Sequence, residues 1–352
     1  MEIGSEFWLD AIPDETQNKT PNWLNKLGDT ILTSSGRGAI SLLLQQVAPK
    51  NQSVLLPEYI CESVILPFIE NGYTCNFYKV NKDLSPDIES IRMYRNVGIF
   101  LHMGYFGFFT NSNLIDVLQN FKKKSTIIIE DITHTLFSGF NRFEENDFYV
   151  GSIRKWFGVP SGGFLASSKR QLERPVFSNV VFPNLRTTAL LAKGKYVENA
   201  DDNLKDLFLN QFAEAENLLD MDVTPYHIEN ISSEIINLLN IDELVKKRRN
   251  NFMILSEGLK SVSYMKAPFN ELRNSECPMF YPILINNRRD EIRKKLTEEK
   301  IYCPIHWPVP NRIRDNNLGS TLDIYNMILS IPCDQRYGTN EMEKIISVLK
   351  SL

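Results

Sequence analysis

Short apolar runs of strand length alternate with stretches of helical period through the first half of the chain. The runs Asp29–Leu32, Ser53–Leu56, Cys75–Val80, Gly98–His102, Thr126–Glu130, Phe148–Ser152 and Gly162–Ala166 read as strands. Between them, Ala39–Leu44 and Glu62–Asn71 carry apolar residues at helical spacing. The pattern predicts an α/β fold: a mostly parallel central sheet of about seven strands, flanked by helices. From about Leu185 the character changes to long helices, with Asn203–Leu219 and Ser232–Leu259 as the clearest stretches. Strands near Met279–Ile285 and Tyr302–Ile305, with helices near Arg289–Glu299 and Asn340–Leu352, predict a small α+β region at the C-terminus. We therefore expect a large domain over 1–240, with an N-terminal arm, and a small C-terminal α+β domain over 241–352.

Composition narrows the function classes. Among 352 residues, 39 Lys+Arg oppose 43 Asp+Glu, a net charge of −4, so there is no basic field to hold a polyanion and nucleic acid is not an expected partner. The most apolar windows, Val97–Phe109 and Thr126–Ile129, are too short or too interrupted for a bilayer span. The opening Met1-Glu2-Ile3-Gly4 lacks the basic and apolar regions of a secretory signal, and a cytoplasmic location is expected. Cys61, Cys75, Cys277, Cys303 and Cys333 form no C-x-x-C pair, so reduced thiols are expected and neither a metal site nor a disulfide framework.

Three segments carry candidate chemistry. Ser34-Ser35-Gly36-Arg37-Gly38 precedes an apolar helix; its backbone N–H groups and helix dipole suit an anion, but a plain helix cap has the same composition. Ile127-Ile128-Ile129-Glu130-Asp131 runs straight into carboxylates and then His134. Ligands of parallel sheets bind at carboxyl strand ends, which places Asp131 at a cofactor site; the alternative is a helix cap with a core imidazole. Ser152-Ile153-Arg154-Lys155-Trp156-Phe157 is followed by Gly162-Gly163. A lysine among aromatics suits an amine desolvated to become nucleophilic, although most lysines are simply solvated.

In this order the segments resemble the DegT/DnrJ/StrS-type sugar aminotransferases, fold-type I enzymes dependent on pyridoxal 5'-phosphate (PLP). The resemblance runs from about Thr33 to Arg336. Ser34–Ala39 is similar to the family's phosphate turn, so Ser35, Gly36, Arg37 and Gly38 are implied to hold phosphate, with Arg37 where threonine is common. Leu56–Cys61 resembles the segment that carries the ring-stacking aromatic; Cys61 occupies that position and leaves Tyr59 as the nearest aromatic. Glu130–His134 resembles the family's E-D-A-A-[QH] element, which implies that Asp131 pairs with the pyridine nitrogen and His134 lies near the phenolic oxygen. Lys155 matches the Schiff-base lysine and Ser152 a phosphate-binding serine, at a shorter spacing than in many members. A lysine here departs from the dehydratase branch, which carries histidine. Pro225-Tyr226-His227-Ile228 resembles the Y-N-Y-R-M stretch with His227 in place of arginine, and Tyr302–Pro308 the region near substrate; His227, His306 and Trp307 are implied substrate-side residues, with packing an equal reading for the last two.

The function so implied is an aminotransferase. It would move an amino group from an amino acid, glutamate first, to a keto-sugar or nucleotide-linked keto-sugar by a ping-pong route, as a homodimer with its active site at the interface. A PLP-dependent lyase, decarboxylase or desulfurase would use the same Lys155 and Asp131. A non-catalytic regulatory protein on the same fold is the third reading, and it would have no need of the lysine.

Overall fold

The computed structural model describes residues 2–13, 21–314 and 318–352. A two-residue strand, Ile3–Gly4 (β1), opens the chain. Seven strands then form the central sheet: Asp29–Thr33 (β2), Ser53–Pro57 (β3), Thr74–Tyr78 (β4), Ile99–Met103 (β5), Ile127–Asp131 (β6), Phe148–Ser152 (β7) and Gly163–Ser167 (β8). Their order is β2-β8-β7-β6-β5-β3-β4. Neighbours from β7 across to β4 pair in parallel, while β8 runs antiparallel between β7 and β2. All five residues of β5 are buried, as expected of a parallel strand covered on both faces, and this is why such strands read as unbroken apolar runs.

Helix Gly36–Gln45 links β2 to β3 and presses Ala39, Ile40, Leu42 and Leu43 against the sheet. Ile115–Lys123 buries Val117, Leu118 and Phe121 on the opposite face. Beyond β8 the chain makes a helical hairpin, Val181–Asn199 and Asp202–Met221, turned by Ala200 in the left-handed conformation and capped by the Asp201 side chain. The stretch from Ser232 to Leu259 is two helices, Asn230–Asn237 and Ile241–Leu259. The break has a local cause: the Asn240 side chain accepts from the Glu243 N–H at 3.1 Å and starts the second helix.

Met265–Lys266 (β9), Tyr281–Ile285 (β10), Ile301–Tyr302 (β11) and Ile328–Ile331 (β12) follow. An antiparallel sheet has the order β12-β10-β9, and β11 instead pairs in parallel with β1. Helices Arg289–Glu298 and Thr339–Ser351 lie where the pattern places them. The strand expected at Tyr302–Ile305 is shorter and leaves its sheet, and β12 carried no alternation to reveal it. One apolar cluster joins the face of the central sheet at Phe100 and Phe121 to Ile283, Ile292 and Ile345 of the C-terminal part. Each such fully buried side chain contributes about 1.5–3 kcal/mol.

Candidate active site

The sheet order explains why distant segments meet. β2, β6 and β7 all run toward one edge, so Ser34–Ser35, Asp131 and Ser152 emerge side by side. β8 starts at that edge, with Gly163 opposite both Thr33 and Ser152. A cavity of about 270 Å³ opens there, faced by Ser35, Gly36, Arg37, Asp131, Ser152 and Lys155.

The turn after β2 is built for close approach. Ser35, in extended backbone, accepts from the Gly38 N–H at 3.0 Å and caps the helix. A Cβ on Gly163 would lie 2.2 Å from the Ser35 carbonyl, so only glycine lets β8 pass beneath the turn. The Gly162 N–H donates to the Ser34 carbonyl at 2.9 Å and ties the two loops. Around the turn stands an ionic cluster that the sequence did not announce. Arg37 pairs with Asp220 and lies 3.9 Å from Glu216; Arg154 and Arg186 reach Glu216 at 2.7 and 3.3 Å. The Nε atoms of Arg37, Arg154 and Arg186 are buried without a partner among the described residues. Burial pushes the Glu216 carboxyl up, but Arg154, Lys155 and Arg186 together hold it far below the usual range.

Asp131 is buried, and its Oδ1 accepts from the Thr133 N–H at 2.8 Å. No cation pairs with it among the described residues, and burial raises its pKa. Thr133 also joins the loops: its hydroxyl accepts from the Ser152 N–H at 3.0 Å and its carbonyl from the Trp156 indole at 2.6 Å. Sequence reading missed Thr133, although its place two residues after a strand-end Asp is an Asx-turn signal. On the other face of β6, Glu130 anchors a buried chain: Arg142 and Asn146 donate to it at 2.7 Å each, and His102 bridges Asn146 and Asn111.

His134 and His306 share the cavity with Trp307, the two imidazole centroids 5.7 Å apart. His134 Nδ1 accepts from the Phe106 N–H at 3.3 Å, and His306 Nδ1 lies 2.8 Å from Ser330 Oγ. Burial pushes both imidazoles down, His134 well below its usual value and His306 to about 3, with the Lys155 charge adding to both. Both are neutral at pH 7. Lys155 is exposed.

Two expected residues stand elsewhere. Tyr59 is fully buried behind the cavity wall, packed on Trp307 at 5.3 Å with its hydroxyl donating to the His306 carbonyl; Cys61 and Trp307 face the cavity instead. The cause is its position: the residue after β3 and Glu58 turns inward against Tyr105 and Tyr325. His227 does not line this cavity; it forms an isolated bridge with Thr33 at the end of β2. Cys303 is buried, and burial pushes its thiol up, which leaves no activated sulfur there. Among the described residues no group of three or more His, Cys, Asp or Glu could hold a metal, and no helix is long and apolar enough to cross a membrane.

The fold has counterparts among known proteins. Residues 224–350 match the DegT/DnrJ/EryC1/StrS aminotransferase family, and no curated protein matches by sequence. Among solved structures, the Helicobacter pylori PseC aminotransferase of pseudoaminic acid biosynthesis superposes with a TM-score of 0.72 at 15% identity, covering 100% of this chain and 99% of that one. A putative sugar aminotransferase of Streptococcus pneumoniae in its PLP form has a TM-score of 0.67 at 14% identity, covering 99% and 92%. DesV of S. venezuelae, solved with a ketimine intermediate, has 0.66 at 14% identity, covering 93% and 86%. The expected fold is thereby borne out over the whole chain, and residues 224–350 are similar to the DegT/DnrJ/EryC1/StrS aminotransferase family, a stretch that begins after the turn, the strand end and Lys155.

Proposed function

We propose that the chain is a PLP-dependent aminotransferase that moves an amino group from an amino acid, glutamate first, to a keto-sugar or nucleotide-linked keto-sugar. One observation carries this reading: a buried carboxylate without a cation, Asp131, shares a cavity with the Lys155 amine and with a glycine turn that offers backbone N–H groups to an anion. The residues present fit the cofactor. The turn at Ser35–Gly38, the Ser152 hydroxyl and the partnerless guanidinium N–H of Arg37 are donors suited to phosphate. Asp131 needs a proton-bearing nitrogen to neutralise it.

When bound, PLP supplies an electron sink for the carbanion formed at the amino-acid carbon. Asp131 holds the proton at the ring nitrogen that makes this possible. His134, whose Nδ1 already accepts from backbone, keeps its proton on Nε2 and has that N–H free to donate to an oxygen. Lys155 Nζ binds the cofactor and moves the proton at the substrate carbon as general base. In this reading residues 1–240 form the cofactor-binding domain and 241–352 the small domain. The reading includes a homodimer, supported by Phe177, Val180, Val181 and Met221, whose apolar side chains are exposed and which a second copy would cover. Five free cysteines fit a reducing, cytoplasmic setting.

The test begins with borohydride, which fixes the cofactor on one lysine; peptide mapping should find it on Lys155. Glutamate without acceptor should then release one 2-oxoglutarate per site and stop. Continuous turnover, or release of carbon dioxide or sulfide, makes the protein a PLP lyase; no reaction with any amino acid makes it a binding protein. Light scattering measures the dimer.

A further inference from the structure

A second cavity, of about 410 Å³, adjoins the first, and Arg154, Lys155, Met279 and His306 line both. Its far wall is the N-terminal segment Gly4–Phe7. Mostly backbone atoms hold that segment in place. β1 pairs with β11, and the Gly4 N–H donates to the Tyr337 hydroxyl at 2.8 Å. Arg336 donates to the Ser5 and Glu6 carbonyls at 3.3 and 2.9 Å and lies over the Phe7 ring at 4.2 Å. Lys193 donates to the Glu6 carbonyl as well. None of these contacts uses the Glu6 carboxylate.

That carboxylate reaches Arg186 at 3.3 Å through Oε2, its side chain stays 45% exposed, and Oε1 has no partner among the described residues. Arg186 also pairs with Glu216, its Nε is buried without a partner among the described residues, and Glu6→Gln keeps an amide oxygen for its remaining N–H. Burial pushes the Glu6 carboxyl up, and Arg186 and Lys155 pull it further down, so it is ionised. An ionised carboxylate only accepts hydrogen bonds. Five cations against two carboxylates line the cavity, a field that repels a positively charged ligand. A neutral donor is left for Oε1, and on a keto-sugar acceptor that donor is a hydroxyl.

We infer that Glu6 is a specificity-determining residue that accepts a hydrogen bond from a hydroxyl of the keto acceptor, and that the cavity between the N-terminal segment and Lys155 is the subsite for the acceptor's hydroxylated carbons. This rests on the aminotransferase reading above.

The test uses the holoenzyme in single turnover. Glutamate converts it to the amino form, and D-fructose, 1-deoxy-D-fructose and 3-deoxy-D-fructose are then offered separately while the return of visible absorbance is followed. The wild type should prefer D-fructose over at least one deoxy ketose. Glu6→Gln should raise the half-saturating D-fructose concentration about tenfold and leave the less favoured deoxy ketose unchanged. The glutamate half-reaction and the unfolding midpoint should stay at wild-type values. Glu6→Asp, which keeps the charge, should retain part of the preference. Glu2→Gln loosens the same segment at Lys205, Tyr196 and Tyr302, 2.7, 2.8 and 3.3 Å away; Glu2 itself does not line the cavity, and the variant should leave the preference intact. Equal preference in wild type and Glu6→Gln, or no preference in the wild type, overturns the inference while the glutamate half-reaction stands. A wild type that glutamate does not convert overturns the aminotransferase reading and the inference with it.

Discussion

Arg248 sits on helix Ile241–Leu259 and is almost fully buried, yet among the described residues it has no carboxylate at hydrogen-bonding distance. Its donors go to the Gln335 amide oxygen at 2.7 Å and to the carbonyls of Met279 at 2.8 Å, Trp156 at 2.9 Å and Pro278 at 3.3 Å. The guanidinium also lies 4.6 Å from the Trp156 ring centroid. One side chain thus braces the residue after Lys155 against the C-terminal part of the chain. Arg248→Met preserves much of the volume but strips these acceptors. The Trp156 carbonyl keeps a bond from Gln335 at 2.8 Å, so the orphaned groups are the Met279 carbonyl, the weaker Pro278 contact and the Gln335 oxygen. At about 1–3 kcal/mol for each of the two well-made bonds lost in the interior, and about 1 kcal/mol for the ring contact, the loss comes to about 3–7 kcal/mol. That is a large share of the roughly 5–15 kcal/mol that holds a typical protein folded. Urea unfolding of wild type and variant, followed by Trp fluorescence and circular dichroism together, measures it. Because Trp156 adjoins Lys155, the variant should also trap PLP more slowly with borohydride. A loss under about 1 kcal/mol would refute the reasoning, since it would mean that water or a rearranged loop satisfies those carbonyls.

Asp131→Asn should lower turnover by roughly a hundredfold or more while PLP occupancy falls far less, because in the proposed mechanism phosphate donors carry binding and Asp131 acts on charge in the transition state; equal activity would remove Asp131 from the mechanism. Gly163→Ala places a Cβ 2.2 Å from the Ser35 backbone, so the turn must shift, and equilibrium dialysis should show weaker PLP retention; unchanged retention would mean that the turn does not hold the phosphate. His306 has its pKa depressed to about 3 and His134 is depressed well below normal, so below about pH 6.5 the unfolded imidazoles take up protons that the folded ones refuse. His306 should remove roughly 1.4 kcal/mol of stability per pH unit as the pH falls from about 6.5 toward 3, His134 should act in the same direction, and His306→Asn should flatten that acid limb in urea titrations at stepped pH.

The sequence by itself determined the elements whose signal is local. Strands such as Ile127–Asp131 are apolar on both faces because helices cover both, and that makes them visible as runs. The Ser35 cap, the carboxylate at the end of a strand and the Ser-x-x-Lys before two glycines are likewise local patterns, and the family resemblance rested on them. Tertiary structure alone decided what crosses the chain. β1 and β11 are two residues each and acquire strand geometry only by pairing with one another, about 300 positions apart, so neither shows a period. The direction in which Tyr59 points depends on the packing of Tyr105 and Tyr325 around it; spacing along the sequence could name it as the nearest aromatic but not turn it toward the cavity. Arg37, Arg154, Arg186 and Glu216 lie on separate elements, and charged residues on separate helices look like solvated surface until the fold buries them together. Glu6 shows the same limit most plainly: it reads as one acid near a chain end, and only the fold carries it across to the far wall of the cavity beside Lys155.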